Sequence, residues 1–180
     1  QQNTSTSLLY QHPSYCSLSD SAVNLQVGEI TYKSPITMLG YLNHPAETET
    51  FFGNDGFCHS GDTGHYDNKG TLYYDGRLKE LIKYKNYHLY PNELEELLLQ
   101  HEAVEDAAVF GKPEAAGTEL VTALVVRREG REVTREELEE LVEGRVEDYK
   151  RLRGGVHWVE QIPRNPTGKI LRRKLIDLLK

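Results

Sequence analysis

The sequence predicts an α+β fold, in which an incomplete β-rich segment precedes a small domain made of a three-stranded sheet and packed helices. Short strand-like runs bounded by Gly, Pro or Asn occupy the chain from residue 28 to residue 77. Beyond residue 76, strand-like runs alternate with runs whose apolar residues recur with the spacing of one helical face. This stretch of about a hundred residues is long enough for a small core of its own. We therefore divide the chain into residues 1–75 and residues 76–180.

The β-rich segment contains three predicted strands. They begin at Gly28 (GEITYK), Met38 (MLGYL) and Gly70 (GTLYYDGR). These short runs do not complete a core, so we interpret residues 1–75 as the end of a larger domain. Residues 1–25 are rich in Ser, Gln, Asn and Thr without a period, and we expect a loop or an edge segment there.

The second segment carries clear helix signals. Pro91 suits the first turn of a helix, and Leu94 and Leu98 continue one apolar face. Thr134 and Glu137 have the spacing of a capping box at the start of another helix. The other predicted elements are strands at residues 104–109, 120–126 and 156–159 and a closing amphipathic helix at residues 170–179.

Composition argues against several classes of protein. No apolar run approaches the roughly 20 residues that cross a bilayer, and the first residues have neither the basic start nor the apolar core of a signal peptide. Cys16 and Cys58 alone cannot build a disulfide framework. We therefore expect an intracellular protein, cytoplasmic or peroxisomal, although the sequence ends in DLLK rather than in a peroxisomal SKL.

The net charge of −7 is unevenly distributed. Residues 91–148 contain 17 acidic and 6 basic side chains, whereas residues 149–180 contain 9 basic and 2 acidic ones. A basic end of this kind attracts anions, although a solvated face has the same composition. Nucleic-acid binding is not favoured, because this end offers little besides Trp158 for stacking on bases and contains no recognition motif.

A dense basic run directly precedes the helix predicted at Pro91. Its four cations, within nine residues, are Arg77, Lys79, Lys83 and Lys85. Guanidinium and ammonium groups at this density favour an anionic ligand. An exposed basic hairpin would have the same sequence, so the run alone does not decide between the two interpretations.

The NPTGK segment, residues 165–169, presents a lysine from a restrained loop. Neighbouring prolines limit the backbone and Gly168 permits a positive φ, so the Lys169 ammonium stands on a defined turn. A Gly-Lys pair also ends a phosphate-binding P-loop, but here no glycine stands five residues before Gly168, and Ile170 replaces the required Ser or Thr. A P-loop is therefore excluded.

Three motifs occur in order along the chain: HSGD at residues 59–62, GRLKELIKYKNYHLYPNELE at residues 76–95, and NPTGK at residues 165–169. Together they closely resemble the signatures of adenylate-forming acyl-CoA synthetases of the luciferase and 4-coumarate–CoA ligase kind. The GEI and MLGYLNHPAET runs resemble the strands that precede those signatures. The resemblance covers residues 26–180 and implies a mobile C-terminal lid at residues 76–180, after the end of the large AMP-binding domain.

The resemblance implies roles for individual residues. Asp62 would accept hydrogen bonds from the ribose hydroxyls of ATP or of the acyl-adenylate, and Arg77 would hold the same nucleotide. Lys79 falls on the hinge about which the lid swings between two arrangements. In the first arrangement Lys169 would bridge the substrate carboxylate and the α-phosphate. In the second, Lys83 would reach the active site.

Asn86 departs from the family pattern, which has glycine in the turn beside the tunnel for the pantetheine arm of CoA. Asparagine tolerates a left-handed backbone, but its side chain fills space that glycine leaves free. The departure bears on the CoA-dependent step rather than on adenylation.

The expected function is therefore that of an acyl-CoA synthetase, in which ATP and a carboxylic acid give acyl-AMP and CoA then takes the acyl group. Magnesium would accompany ATP, bound mainly by the large domain. The family's Ser/Thr/Gly-rich phosphate loop does not occur in this sequence, so we expect this chain alone not to adenylate a substrate. The alternative is a truncated, catalytically inactive module that binds a nucleotide or CoA. The sequence specifies neither the acid nor the oligomeric state.

Overall fold

A computed structural model describes residues 27–54, 56–114 and 117–179. The chain divides into two compact units, and the division falls between Lys79 and Glu80. The loop or edge segment expected at residues 1–25 lies outside the described residues.

The first unit contains an antiparallel three-stranded sheet and one helix. Its elements are β1 (Gly28–Tyr32), α1 (Pro45–Phe52), β2 (Cys58–Tyr66) and β3 (Leu72–Arg77). The central strand β2 pairs with β1 on one side and β3 on the other, and each pairing contains a register shift. The strands predicted to begin at Gly28 and Gly70 correspond to β1 and β3.

The predicted strand MLGYL is wrong, because residues 38–42 are irregular and lead into α1. The Tyr41 N–H donates to the Thr48 hydroxyl at 2.9 Å, so this segment is tied to the helix rather than to a neighbouring strand. Pro45 occupies the first turn of α1, where its fixed φ suits a helix start. That proline was the signal that could have revealed α1.

The second unit contains a hairpin, a three-stranded sheet and two α-helices. Its elements are β4 (Ile82–Tyr84), β5 (Tyr87–Leu89), α2 (Pro91–Leu99), β6 (Val104–Pro113), β7 (Glu119–Arg127), α3 (Arg135–Glu143) and β8 (Val156–Trp158). The sheet has the order β6-β7-β8, in which β6 and β7 are antiparallel and β7 and β8 are parallel. The predicted α+β fold with a three-stranded sheet is confirmed.

The two helices of the second unit begin as the sequence predicts. Pro91 lies at the start of α2. At α3 the Glu137 N–H donates to the Thr134 hydroxyl at 3.1 Å, and the Thr134 N–H donates to the Glu137 carboxylate at 2.7 Å. This reciprocal capping box satisfies two backbone donors that the first helical turn leaves unpaired.

Alternation along β6 and β7 divides the buried side chains between two faces of the sheet. One face packs against α2 and α3, through residues that include Leu94, Leu98, Val109, Val125, Leu138 and Val142. The opposite face packs against the C-terminal segment, through Ala108, Phe110, Leu124, Ile162 and Leu175. The sheet is therefore covered on both faces.

The closing α-helix predicted at residues 170–179 is wrong. The segment instead forms two 3₁₀ turns, Arg172–Lys174 and Ile176–Leu179. Because residues three apart in such turns lie on the same side, Arg172 and Leu175 both point toward the sheet. Leu175 is fully buried there, and the Arg172 guanidinium reaches the edge of β6.

Two charged side chains cap the free edge of β6 at Val109. Glu95 on α2 accepts a hydrogen bond from the Val109 N–H at 2.8 Å, and Arg172 donates to the Val109 carbonyl at 2.8 Å. The same guanidinium donates to both oxygens of Glu95, at 2.6 and 3.2 Å. Since buried backbone groups need partners, this ion pair closes the strand edge and joins α2 to the C-terminal segment.

Arg172→Met should reduce the free energy of unfolding by about 3–5 kcal/mol, because it leaves the buried Glu95 carboxylate without its counter-charge. Urea unfolding of the 180-residue chain measures the effect. The double variant Arg172→Met, Glu95→Gln should recover part of the loss, since a neutral amide still accepts from Val109. A loss no larger than that of Arg173→Met, which changes an exposed neighbour, would contradict this explanation.

Candidate functional site

In the first unit the sheet brings Asp62 and Arg77 together. They are direct cross-strand partners on β2 and β3, and the Arg77 Nε lies 2.8 Å from the Asp62 Oδ1. The distance defines an ion pair, yet the buried Oδ1 accepts no well-directed hydrogen bond. The Asp62 side chain as a whole is 28% exposed, so the carboxylate is partly open to solvent.

Glu29 on β1 fixes the irregular part of β2 that precedes Asp62. Its Oε1 accepts a hydrogen bond from the Gly61 N–H at 2.9 Å, and its Oε2 lies 2.8 Å from the His59 Nδ1. The Ser60 hydroxyl accepts from the Asp62 N–H at 3.0 Å. Sequence reasoning missed this function of Glu29, because a carboxylate in a strand gives no indication of its partner on the next strand.

In the second unit Lys83 and Asn86 lie on the β4–β5 hairpin, and both are exposed. The Lys83 N–H donates to the Glu119 carboxylate at 2.7 Å, and the Lys85 N–H donates to the Thr118 hydroxyl at 2.7 Å. The side chains of Thr118 and Glu119 thus accept hydrogen bonds from backbone N–H groups of β4 and of the turn that follows it. They fix the backbone of the hairpin while the Lys83 ammonium stays exposed.

The tight turn of this hairpin consists of Lys85 and Asn86, which follow Tyr84 and precede Tyr87. Its left-handed residue is Lys85, with φ of 52°. Across the part of the chain that the structure describes, Asn43 and Lys85 are the non-glycine residues with positive φ. Asn86 therefore does not use the left-handed backbone that its residue type tolerates, and its effect on a neighbouring tunnel would come from side-chain volume.

Lys79 is exposed and lies in the 3₁₀ turn Leu78–Glu80, where the chain passes from the first unit into the second.

The Lys169 loop is closed by Asn165. The Asn165 Oδ1 accepts hydrogen bonds from the N–H groups of Thr167 and Lys169, at 3.0 and 2.8 Å. The Asn165 N–H in turn donates to the Lys169 carbonyl at 2.9 Å. Gly168 has φ of 85°, a conformation that favours glycine. Lys169 thus stands on a defined turn, although its main organiser is the asparagine rather than the prolines.

The Lys169 ammonium lies 3.5 Å from one carboxylate oxygen of Glu80, and its side chain is 49% exposed. The other Glu80 oxygen accepts from the Arg172 Nε at 2.8 Å. Burial alone would raise the pKa of Glu80, but the hydrogen bond and charge of Arg172, together with the charge of Lys169, lower it below its ordinary value. Glu80 is therefore an ionised carboxylate that holds Arg172 closely and Lys169 loosely.

Sequence reasoning did not identify Glu80, Glu95 or Arg172 as a connected group. The two carboxylates belong to acidic or mixed runs, and the arginine belongs to the basic end of the chain. Their pairing spans 77 and 92 residues of sequence, which only the fold brings together.

Comparison with known proteins agrees with this geometry. Residues 93–169 match the family described as AMP-binding enzyme C-terminal domain. The chain is 42% identical over 153 residues to a luciferin 4-monooxygenase of Nipponoluciola cruciata and 46% identical over 150 residues to a 4-coumarate–CoA ligase-like protein of Oryza sativa subsp. japonica. These alignments cover 85% and 83% of this chain but 28% and 27% of the relatives.

A solved structure leads to the same family. ATP-bound MatB from Rhodopseudomonas palustris superimposes with a TM-score of 0.76 and is 32% identical, over 86% of this chain and 31% of that one. Residues 93–169 therefore carry the AMP-binding enzyme C-terminal domain, and the chain is similar over most of its length to the C-terminal part of adenylate-forming enzymes. Its resemblance to luciferases and 4-coumarate–CoA ligases is confirmed. None of the helices in the described residues is long and apolar enough to cross a membrane.

Glu80→Gln should lower stability at neutral pH and lose that effect in acid. Because the folded-state pKa of Glu80 is depressed, its carboxylate contributes stability above the unfolded pKa, and the contribution disappears as pH falls through the folded pKa. The difference in unfolding free energy between wild type and variant should be constant from neutral pH to about 5 and shrink below about 4.3. Denaturant titrations across this range measure it.

Glu96→Gln, at an exposed position on α2, is the matched control for a change of net charge. A Glu80→Gln effect that stays the same at every pH would show that the side chain acts through its shape and not through its charge.

Proposed function

We propose that this chain is the C-terminal part of an acyl-CoA synthetase that activates a carboxylic acid with ATP and transfers the acyl group to CoA. In the first step a substrate carboxylate oxygen attacks the α-phosphorus of ATP, the bond to the β-phosphate breaks, and pyrophosphate leaves. In the second step the CoA thiol displaces AMP. The observation that carries the proposal is Lys169, a half-exposed ammonium on a closed loop.

Lys169 has the properties that stabilisation of the first step requires. Its backbone is fixed by Asn165, so the start of the side chain is preorganised. Its ammonium is held by one carboxylate oxygen at 3.5 Å, and that carboxylate is shared with Arg172. A substrate carboxylate beside the α-phosphate is a stronger anionic partner than this shared oxygen. Lys169 can therefore leave Glu80 to neutralise the charge of the displacement transition state.

The Asp62 and Arg77 pair is our proposed contact for the nucleotide. The partly exposed Asp62 carboxylate suits the ribose hydroxyls, and Arg77 supplies planar donors beside it. ATP as the nucleotide is supported by the similarity to ATP-bound MatB. We assign no residue to magnesium, since the described residues include no cluster of His, Cys, Asp or Glu that could hold a metal ion.

For the second step we assign residues 1–75 to the large domain, residues 76–180 to the mobile lid and Lys79 to the hinge between them. Lys83 would then reach the active site, and Asn86 would border the CoA tunnel. The fixed backbone and the exposure of Lys83 support this assignment. We also infer an intracellular location, because ATP and CoA are intracellular substrates.

Lys169→Ala should lower acid-dependent ATP–pyrophosphate exchange by about 10²–10³-fold, or roughly 3–4 kcal/mol, because one preorganised charge is lost. The assay uses a reconstituted synthetase, in which residues 27–180 are joined to the preceding part of the rice relative. Thioester formation from supplied acyl-AMP should fall far less, since Lys169 acts during adenylation. Lys174→Ala, which removes the same charge from an exposed position nearby, should leave both steps unchanged.

Equal losses in both steps would instead make Lys169 a structural residue of its loop. No loss in either step would show that Lys169 is not catalytic. A reconstituted synthetase with the unchanged sequence that binds nucleotide but supports neither step would favour the alternative of an inactive nucleotide- or CoA-binding module.

Asn86→Gly should accelerate the CoA-dependent step of the reconstituted synthetase and leave adenylation little changed. Since Asn86 has no left-handed backbone to relieve, the change acts by removing side-chain volume. Single-turnover conversion of preformed acyl-AMP to thioester measures it. Asn86→Ala, which removes most of the volume without adding backbone freedom, should give a similar gain. Equal or slower rates in both variants would refute a tunnel restriction at this position.

A further inference from the structure

Arg164 is the first residue of the loop that presents Lys169, and its guanidinium crosses that loop. Its Nη1 donates to the Gly168 carbonyl at 2.8 Å, which belongs to the peptide that leads directly into Lys169. The backbone of Arg164 also pairs with Ile170 across the base of the loop. The side chain thus holds the loop at the residue next to the lysine.

The same guanidinium is anchored on the sheet through Asp106. The Arg164 Nη2 lies 2.8 and 3.0 Å from the two Asp106 oxygens, and the Nε lies 3.4 Å from one of them. Asp106 lies on β6 and is itself fixed, because its Oδ1 accepts from the Ala107 N–H at 2.9 Å. Arg164 therefore connects a rigid strand to the peptide before Lys169.

We propose that Arg164, anchored by Asp106, is a positioning residue that sets where the Lys169 ammonium is presented during adenylation. This inference rests on the proposed function of Lys169. Lysine could not replace arginine fully at position 164, because a single ammonium lacks the planar fork that reaches Asp106 and the Gly168 carbonyl together. The pair is part-exposed, and ion pairs of that kind contribute little to global stability. Its contribution therefore lies in loop geometry.

The first test measures the loop itself in the 180-residue chain. Arg164→Ala should increase hydrogen exchange of the Lys169 amide by about tenfold, while the Val109 amide in β6 keeps its protection. Asp106→Asn should act in the same direction. Hydrogen exchange of the Lys169 amide in the double variant should be little faster than in Arg164→Ala, because the two residues act as one unit. Unchanged exchange at Lys169 would overturn the proposal.

The second test measures adenylation in the reconstituted synthetase. Arg164→Ala should lower kcat for ATP–pyrophosphate exchange by about tenfold, since small displacements of a reacting group have large effects, and should leave KM for ATP within about twofold. Arg164→Lys should recover part of the rate. Arg173→Ala, which removes the same charge from an exposed site, should have no effect.

Combination with Lys169→Ala separates the two proposals. If Arg164 acts through Lys169, Arg164→Ala should slow the Lys169→Ala enzyme no further. An equal loss in both backgrounds, or no loss in the wild-type background, would overturn the positioning role. A Lys169→Ala enzyme with full exchange activity would instead overturn the proposed function.

Discussion

The structure of the second unit depends on the contact between Glu95, Arg172 and the free edge of β6. Two buried backbone groups at Val109 point away from the sheet, and each needs a partner. Glu95 supplies the acceptor and Arg172 the donor. Because the two side chains are oppositely charged and paired with each other, neither charge is buried without compensation. One interaction thus protects the strand edge, docks α2 and replaces a C-terminal helix by two 3₁₀ turns. It also leaves the Arg172 Nε free to hold Glu80, so the turn at Glu80 and the Lys169 loop are joined to the same framework.

Acidic and basic residues lie in separate segments of the sequence, but many of them form ion pairs in the folded chain. The basic C-terminal end suggests an anion-seeking surface, yet several of its cations meet carboxylates of the same unit. Such pairs include Arg164 with Asp106, Lys150 with Glu93, and Arg172 with Glu80 and Glu95. Most of this positive charge therefore serves the assembly of the unit. Lys169 is different in degree, because its partner is 3.5 Å away and already engaged by Arg172. The charge of a segment therefore predicts ligand binding less well than the strength of the ion pair that each of its cations forms within the protein.

Much of the fold could be predicted because its signals are local. The capping box of Thr134 and Glu137 acts within one helical turn, and the three strands of the second sheet show in their apolar runs. The wrong C-terminal helix arose where distant contacts decide. A helix at residues 170–179 fits the periodicity, but Arg172 and Leu175 are drawn to the same side by the sheet. For the candidate site, the resemblance to related enzymes suggested the side chains that would face ligands, and their roles stay predictions. It did not reveal Glu29, Asp106 or Glu80, since each holds a partner that the sequence places far away.

The two oxygens of Glu80 make contacts of different strength, a tight one to Arg172 and a looser one to Lys169. The oxygen that accepts from Arg172 is held at 2.8 Å by a guanidinium that is itself fixed by Glu95. The oxygen that faces Lys169 offers a longer contact to a half-exposed side chain. A tighter ion pair would keep the ammonium away from a substrate. Without an ion pair, the side chain would sample many rotamers, and ordering it for the reaction would cost conformational entropy. An intermediate contact would keep Lys169 near one position and, in the proposed function, still allow the substrate carboxylate and the α-phosphate to displace Glu80. In the proposed function, precision would then come from the loop backbone, and reactivity from the weakness of the ion pair with Glu80.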